Sequence, residues 1–243
     1  MLELAAHDDT ECPNTMWNLA LACAVFLSIH LLVGGVGVKD WVIEKIGAPA
    51  WYILFSLVSL ACFVWLCIAF FVALGDHMNV VVWGAPLFLK IIALVLNFVA
   101  FLLVVLGVTT PSPTNLLALV RMPERPVYGI VRISRHPVLA GIGLWALIHL
   151  ICNGNLASWL FFGSLVALCA IGAHNIDRKR EAALGNLYAS IKKRTSIVPF
   201  VAIIEGRTAF APEELGIARV FLAASMFSVF LALHEMLFTA RAL

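Results

Sequence analysis

The sequence predicts an all-α fold, a polytopic transmembrane helix bundle of about six spans. Three observations carry this. The 243 residues have a mean hydropathy of +1.01 and only 12% are charged, about half the share of a soluble domain. The apolar residues gather into six runs, most of them near the ~20 residues that cross a bilayer core. The basic residues crowd into alternate connections between those runs. The net charge of +2 gives no basis for a nucleic-acid partner. The partner these features imply is the lipid bilayer.

The runs are 16–36, 50–74, 86–108, 137–152, 155–174 and 217–239. The tail before the first, MLELAAHDDTECPNT, is acidic and lacks a basic n-region, so it does not read as a signal peptide. The third run leads into TTPSPTNLL (109–117), whose prolines and small polar residues mark a loop. The fourth begins at Pro137, directly after Arg135 and His136. Proline fits a first helical turn because the N–H it lacks would be unbonded there. Asn153-Gly154 closes this helix, and glycine just past the end is a common stop. The fourth and fifth runs should form a tight antiparallel pair.

Charge sets the orientation. Lys39 and Lys45 lie between runs one and two. Arg121, Arg125, Arg132 and Arg135 lie between three and four. Arg178, Lys179, Arg180, Lys192, Lys193, Arg194 and Arg207 lie between five and six. The tail and the loops at 75–85 and 153–154 contain no Lys or Arg. The positive-inside rule then places the basic loops in the cytoplasm and both termini outside, across a bacterial inner membrane. Lys90, Arg219 and Arg241 sit near run ends, where long side chains snorkel.

The connection 175–216 has its own pattern. Ala183, Leu187 and Ile191 recur at i, i+4 and i+8 among charges, which predicts a surface helix with one apolar stripe. SIVPFVAII (196–204) is apolar but too short to cross. It either dips into the interface or covers the mouth of the bundle. Arg135, His136, Asp177, Arg178 and Glu181 fall at neighbouring span ends and predict a cytoplasmic polar cluster. The six cysteines include no CxxC pair, and five lie in apolar runs, where Cys behaves as a small hydrophobe.

The histidines carry the functional signal. His7 and His77 read as solvated, and His174 and His136 as interfacial. His234 has Glu235 beside it. His30 and His149 lie inside apolar runs, where an ionisable side chain is a functional candidate by default. Each has a bland reading as a hydrogen bond across the bundle. Two together suit a metal, since neutral imidazole is a common ligand and an axial ligand of haem iron. Around His149, Gly141 and Ala146 are expected to leave room for a flat ring, and Trp145 to stack on it. Gly34 stands one turn from His30. Counting along the runs puts the two histidines about 10 Å apart in depth, so His234 stays open as the alternative partner of His149.

The stretch RHPVLAGIGLWALIHLICNGNLASWLFFG resembles the NnrU family of membrane proteins. The likeness extends back to SIHLLVGG and IGAPAWYILFSLVSL, and forward through DRKREAALGNLYASIKKRTSIVPF. It implies a tail at 1–15, an NnrU-like membrane domain at 16–205, and a C-terminal loop and sixth span at 206–243. The family includes the 15-cis-zeta-carotene isomerases of plants and cyanobacteria, which hold haem b. The resemblance implies that cofactor here, with His30 and His149 as axial ligands and therefore as the catalytic pair of an isomerase acting on a polyene such as zeta-carotene. Bacterial members are associated with denitrification and nitric-oxide metabolism, so a nitric-oxide-related substrate is the other implication. GIVRISRHPVLAG followed by RKREAALGNLYASIKKRTSIVPF is also similar to the isoprenylcysteine and phospholipid methyltransferases, which use S-adenosylmethionine. Where those carry a Glu-Glu pair, this chain has Glu181 and Ala182. A non-catalytic membrane assembly factor is the third reading.

Overall fold

The computed structural model describes residues 15–33, 38–114 and 123–238. The acidic tail, Gly34, Arg121 and Arg241 lie outside the described residues. Helix α1 (Thr15–Ser28) runs into one π-helical turn, Ile29–Val33, and α2 is Val38–Ile46. Then come α3 (Ala48–Leu74), strand β1 (Val81–Gly84), α4 (Leu87–Thr109), a single turn α5 (Ile130–Ile133) and α6 (Pro137–Cys152). Strand β2 (Asn153–Asn155), α7 (Leu156–Leu184), α8 (Asn186–Arg194), the turn α9 (Val201–Ile204), a 3-10 turn Pro212–Glu214 and α10 (Ile217–Phe238) complete the order. Among the described residues, α1 with its π-turn, α3, α4, α7 and α10 are long and apolar enough to cross a membrane, and α6 is a shorter apolar helix. Five of the six expected runs are thus helices long enough to cross, and the fourth run, α6, is a shorter one.

The helices pack as a chain of neighbours, α3 on α1, α1 on α7, α7 on α6, α6 on α4 and α4 on α10. One core joins Leu19 and Phe26 of α1, Leu66 and Phe70 of α3, Ala146 of α6, and Phe161, Phe162 and Leu165 of α7. Phe70 and Phe161 stack at 4.4 Å between centroids. Such a pair contributes about 0.5–1.5 kcal/mol beyond its area. A second core joins Leu103 and Leu106 of α4 to Ile130 and Val131 of α5 and Ala223 of α10. The outer faces, such as Ile53, Leu57, Leu60 and Ile68 of α3, stay exposed and apolar. In a bilayer those faces meet acyl chains, and helix association rests on close packing rather than on escape from water.

The tightest seam is α4 against α6. A Cβ on Gly141 would come within 2.7 Å of the Ala100 carbonyl oxygen and of Val104. Gly141 is therefore where two backbones approach each other, and the room expected there for a ring is filled by α4. Ala146 is fully buried in the first core, so it too meets protein.

The all-α expectation holds with one addition. β1 and β2 pair antiparallel, and Gly154 lies opposite Trp83. A Cβ on Gly154 would collide with the Trp83 backbone. Gly154 thus admits a crossing strand, besides following the end of α6. The start of α7 is capped by Asn155, whose side chain accepts from the Ser158 N–H at 2.9 Å.

The surface helix departs from expectation. α7 runs on to Leu184, the chain turns at Gly185 (φ 54), and α8 starts at Asn186. The break parts Ala183, on α7, from Leu187 and Ile191, which stay one turn apart on α8. Ile191 is buried with Tyr188, while Ala183 and Leu187 are exposed. The return to α10 is held by Glu214, which accepts from Arg132 Nε at 2.6 Å, Arg132 Nη2 at 2.8 Å and the Gly129 N–H at 2.8 Å. The Arg132 guanidinium holds the Glu214 carboxyl below its ordinary range.

Candidate functional site

His149 stands on α6 between two rings. Its imidazole stacks on Phe162 of α7 at 5.0 Å and 30°, and lies 4.9 Å from Trp145. Nδ1 is 2.8 Å from the Trp145 carbonyl oxygen. A carbonyl only accepts, so Nδ1 carries the hydrogen, and a neutral ring then has its lone pair on Nε2. Trp145, expected to stack on a flat ring, packs on the imidazole itself, and Phe162 is a partner that the sequence did not reveal.

His30 repeats the device. Its Nδ1 lies 2.8 Å from the Phe26 carbonyl oxygen, and its ring is 4.4 Å from Phe26 and 5.8 Å from Phe55. It sits in the π-turn, and single π-turns inside α-helices occur often at functional sites. His174 makes the same bond to Ala170 at 2.8 Å but is exposed. The carbonyl bond alone is thus a helix habit. The aromatic slot and the position inside a span set His30 and His149 apart.

Depth follows from two contacts. Cys23 of α1 donates to the Leu160 carbonyl at 3.4 Å, so residues 23 and 160 are level. His30 lies about 10 Å beyond that level and His149, beside Phe162, about 3 Å beyond it. The gap is roughly 7 Å. Cα–Cβ bonds tilt toward a helix's N-terminus. α1 and α6 run in opposite senses, so the two Cα–Cβ bonds tilt toward each other in depth. His234 of α10 has its ring 6.4 Å from Phe230.

Among the described residues, no group of three or more His, Cys, Asp or Glu converges as a metal site. A haem needs only axial side chains, because its macrocycle supplies the other iron ligands. Among the described residues, two buried polar atoms lack a hydrogen-bond partner, Ser59 Oγ and Asn97 Oδ1. Ser59 lies one turn from both Phe55 and Phe63, whose rings touch His30 and Phe26. Two imidazoles whose Nδ1 is already engaged have the donor chemistry that a haem would need.

The second centre is a buried ion cluster at the end of the bundle that carries the basic loops. Asp177 accepts from Arg135 Nε at 3.0 Å and Nη2 at 2.6 Å, from His136 Nε2 at 2.7 Å and from the Tyr188 hydroxyl at 2.6 Å. Arg135 also donates to the Thr195 carbonyl at 3.2 Å. Burial, then the Asp177 carboxylate, push the Tyr188 phenol well above its ordinary value. The expected cluster thus gathers Arg135, His136 and Asp177. It leaves out Arg178, which is exposed, and Glu181, which pairs with Lys192 at 2.8 Å on the surface. Tyr188, eleven residues after Asp177, was missed because the break at Gly185 removes any helical spacing between them.

The chain matches the family model "NnrU protein" over residues 18–242. It belongs to the NnrU family. Two curated relatives of this NnrU-family chain are chloroplastic 15-cis-zeta-carotene isomerases. The one from Arabidopsis thaliana is 40% identical over 124 residues, covering 49% of this chain and 32% of the relative. The one from Zea mays is 40% identical over 101 residues, covering 40% and 28%. The chain thus spans about a third of the length of the curated relatives it matches. No solved structure matches significantly.

Proposed function

We propose that this NnrU-family protein holds a b haem through His149 and serves redox-gated isomerisation of an apolar polyene such as zeta-carotene. The carrying observation is the His149 ring, with Nδ1 bonded to the Trp145 carbonyl, the lone pair of the neutral ring therefore on Nε2, and Phe162 stacked on its face. His30 is the second candidate to hold the group, supported by its matching tautomer and aromatic slot, and His234 is the rival. A haem bound there would supply redox chemistry at its iron. The chain's own part is to fix the imidazole tautomer, to hold the ring plane between Trp145 and Phe162, and to keep water out with the surrounding apolar spans. The isomerase relatives favour the polyene over a nitric-oxide substrate. The basic loops face the cytoplasm of a bacterial inner membrane in this reading, and reporter fusions at Gly75 and Gly206 should report opposite sides.

The methyltransferase reading loses support. Arg135 and His136, which would meet S-adenosylmethionine, both engage Asp177 and are buried. The test of the haem reading is an absorption spectrum of protein purified from haem-replete cells. A Soret band is expected, lost or strongly altered in His149→Ala and shifted in whichever of His30→Ala and His234→Ala removes the second ligand. A folded, colourless wild-type protein would falsify the reading.

A further inference from the structure

We propose that residues 193–210 form an in-plane wedge that seats in an anionic lipid leaflet at the basic-loop end of the bundle. The segment leaves α8, forms the single turn α9, and turns back toward α10. It presents large apolar side chains outward: Ile204 is 82% exposed, Val198 61%, Phe210 51% and Phe200 40%. Phe200 and Phe210 lie 6.5 Å apart between centroids.

The backbone fixes this display. Phe200 has φ 67 and is the positive-φ non-glycine residue among those described. A left-handed conformation is unfavourable for a residue with a Cβ. It persists because the Phe200 N–H donates to the Ile133 carbonyl at 2.9 Å, while its own carbonyl accepts from Ile203 and Ile204. The base of the wedge is tied down as well. The Arg135 N–H donates to the Ser196 carbonyl at 2.9 Å, and the Ser134 hydroxyl to the Ile197 carbonyl at 2.7 Å. The apolar tips are thus held outward by hydrogen bonds at their root.

Charge selects the occupant. Lys193 and Arg194 are exposed at the end of α8. Lys192 is paired with Glu181, and Arg207 is engaged by Glu205 and the carbonyls of Lys193 and Thr195. A second copy of the chain, docked through the same face, would set these basic side chains against each other. Anionic phospholipid satisfies both features, with phosphates for the cations and the acyl boundary for Val198, Phe200, Ile204 and Phe210.

The test is hydrogen exchange of the full-length protein in nanodiscs of phosphatidylcholine, with and without phosphatidylglycerol. Exchange across 196–210 should slow by about fivefold or more in the anionic discs, the equivalent of one engaged basic side chain. The Lys193→Gln/Arg194→Gln variant should lose that slowing while α1, α3 and α7 keep their protection. Equal exchange in both discs overturns the proposal. So does slowing that follows the number of protein copies per disc rather than lipid charge, which assigns the face to a second copy.

Discussion

Arg135 and Asp177 meet side-on in a buried ion pair, with Nη2 to Oδ2 at 2.6 Å and Nε within 3.0 Å of both carboxylate oxygens. The pair joins the residue just before the α6 entry to the last part of α7. His136 and Tyr188 complete the carboxylate's hydrogen bonds, so the one side chain organises α6, α7 and α8.

Replacing Asp177 by Ala leaves Arg135 buried without a counter-charge. Breaking a buried pair by removing one partner costs about 3–5 kcal/mol. Thermal unfolding in detergent should show a large loss. Glu181→Ala, which breaks only the surface pair with Lys192, should change stability by at most about 1 kcal/mol.

The Glu214–Arg132 bond predicts an acid dependence. Glu214 has its carboxyl value lowered in the folded chain, so its contribution is present above the unfolded value of about 4.3. That contribution is lost as pH falls through the lowered folded value. Melting curves of wild type and Glu214→Gln should therefore differ at pH 6 and converge as the pH drops below ~4.

Tyr188 runs the other way. Its raised value keeps the folded phenol protonated, so its contribution holds below about pH 10 and declines above it. Tyr188→Phe should be less stable at neutral pH by about 1.5–3 kcal/mol, the range for a hydrogen bond to a charged group. Its alkaline decline should be shallower than that of wild type. Parallel curves at high pH would remove Tyr188 from the ionic cluster.

Gly141→Val should separate packing from cofactor binding. The added atoms meet the Ala100 carbonyl and Val104, and overpacking of this kind costs about 1–3 kcal/mol. The melting temperature should drop. If the residue faced a haem instead, the Soret position would move while the melting temperature held.

The spans were legible because apolar length and loop charge act locally along the chain. His149 stood out for the same reason, as an imidazole in an unbroken apolar run. What stayed hidden depends on partners distant in sequence. Gly141 reads as spare room until Ala100 is placed against it. Phe162 looks like any core aromatic until α7 brings it over His149. Ser59 gives no signal until Phe55 and Phe63 are seen on either side of it. The π-turn at His30 is a choice of hydrogen-bond register that residue type does not encode.

The length of α6 has a consequence for the membrane itself. Sixteen residues of α-helix span about 24 Å, while a hydrocarbon core is ~30 Å thick. Arg135, His136 and Asp177 gather beside the start of this short helix, with α4 and the longer α7 packed against it. A bilayer around α6 would therefore have to thin by about 6 Å or leave the difference to these neighbours.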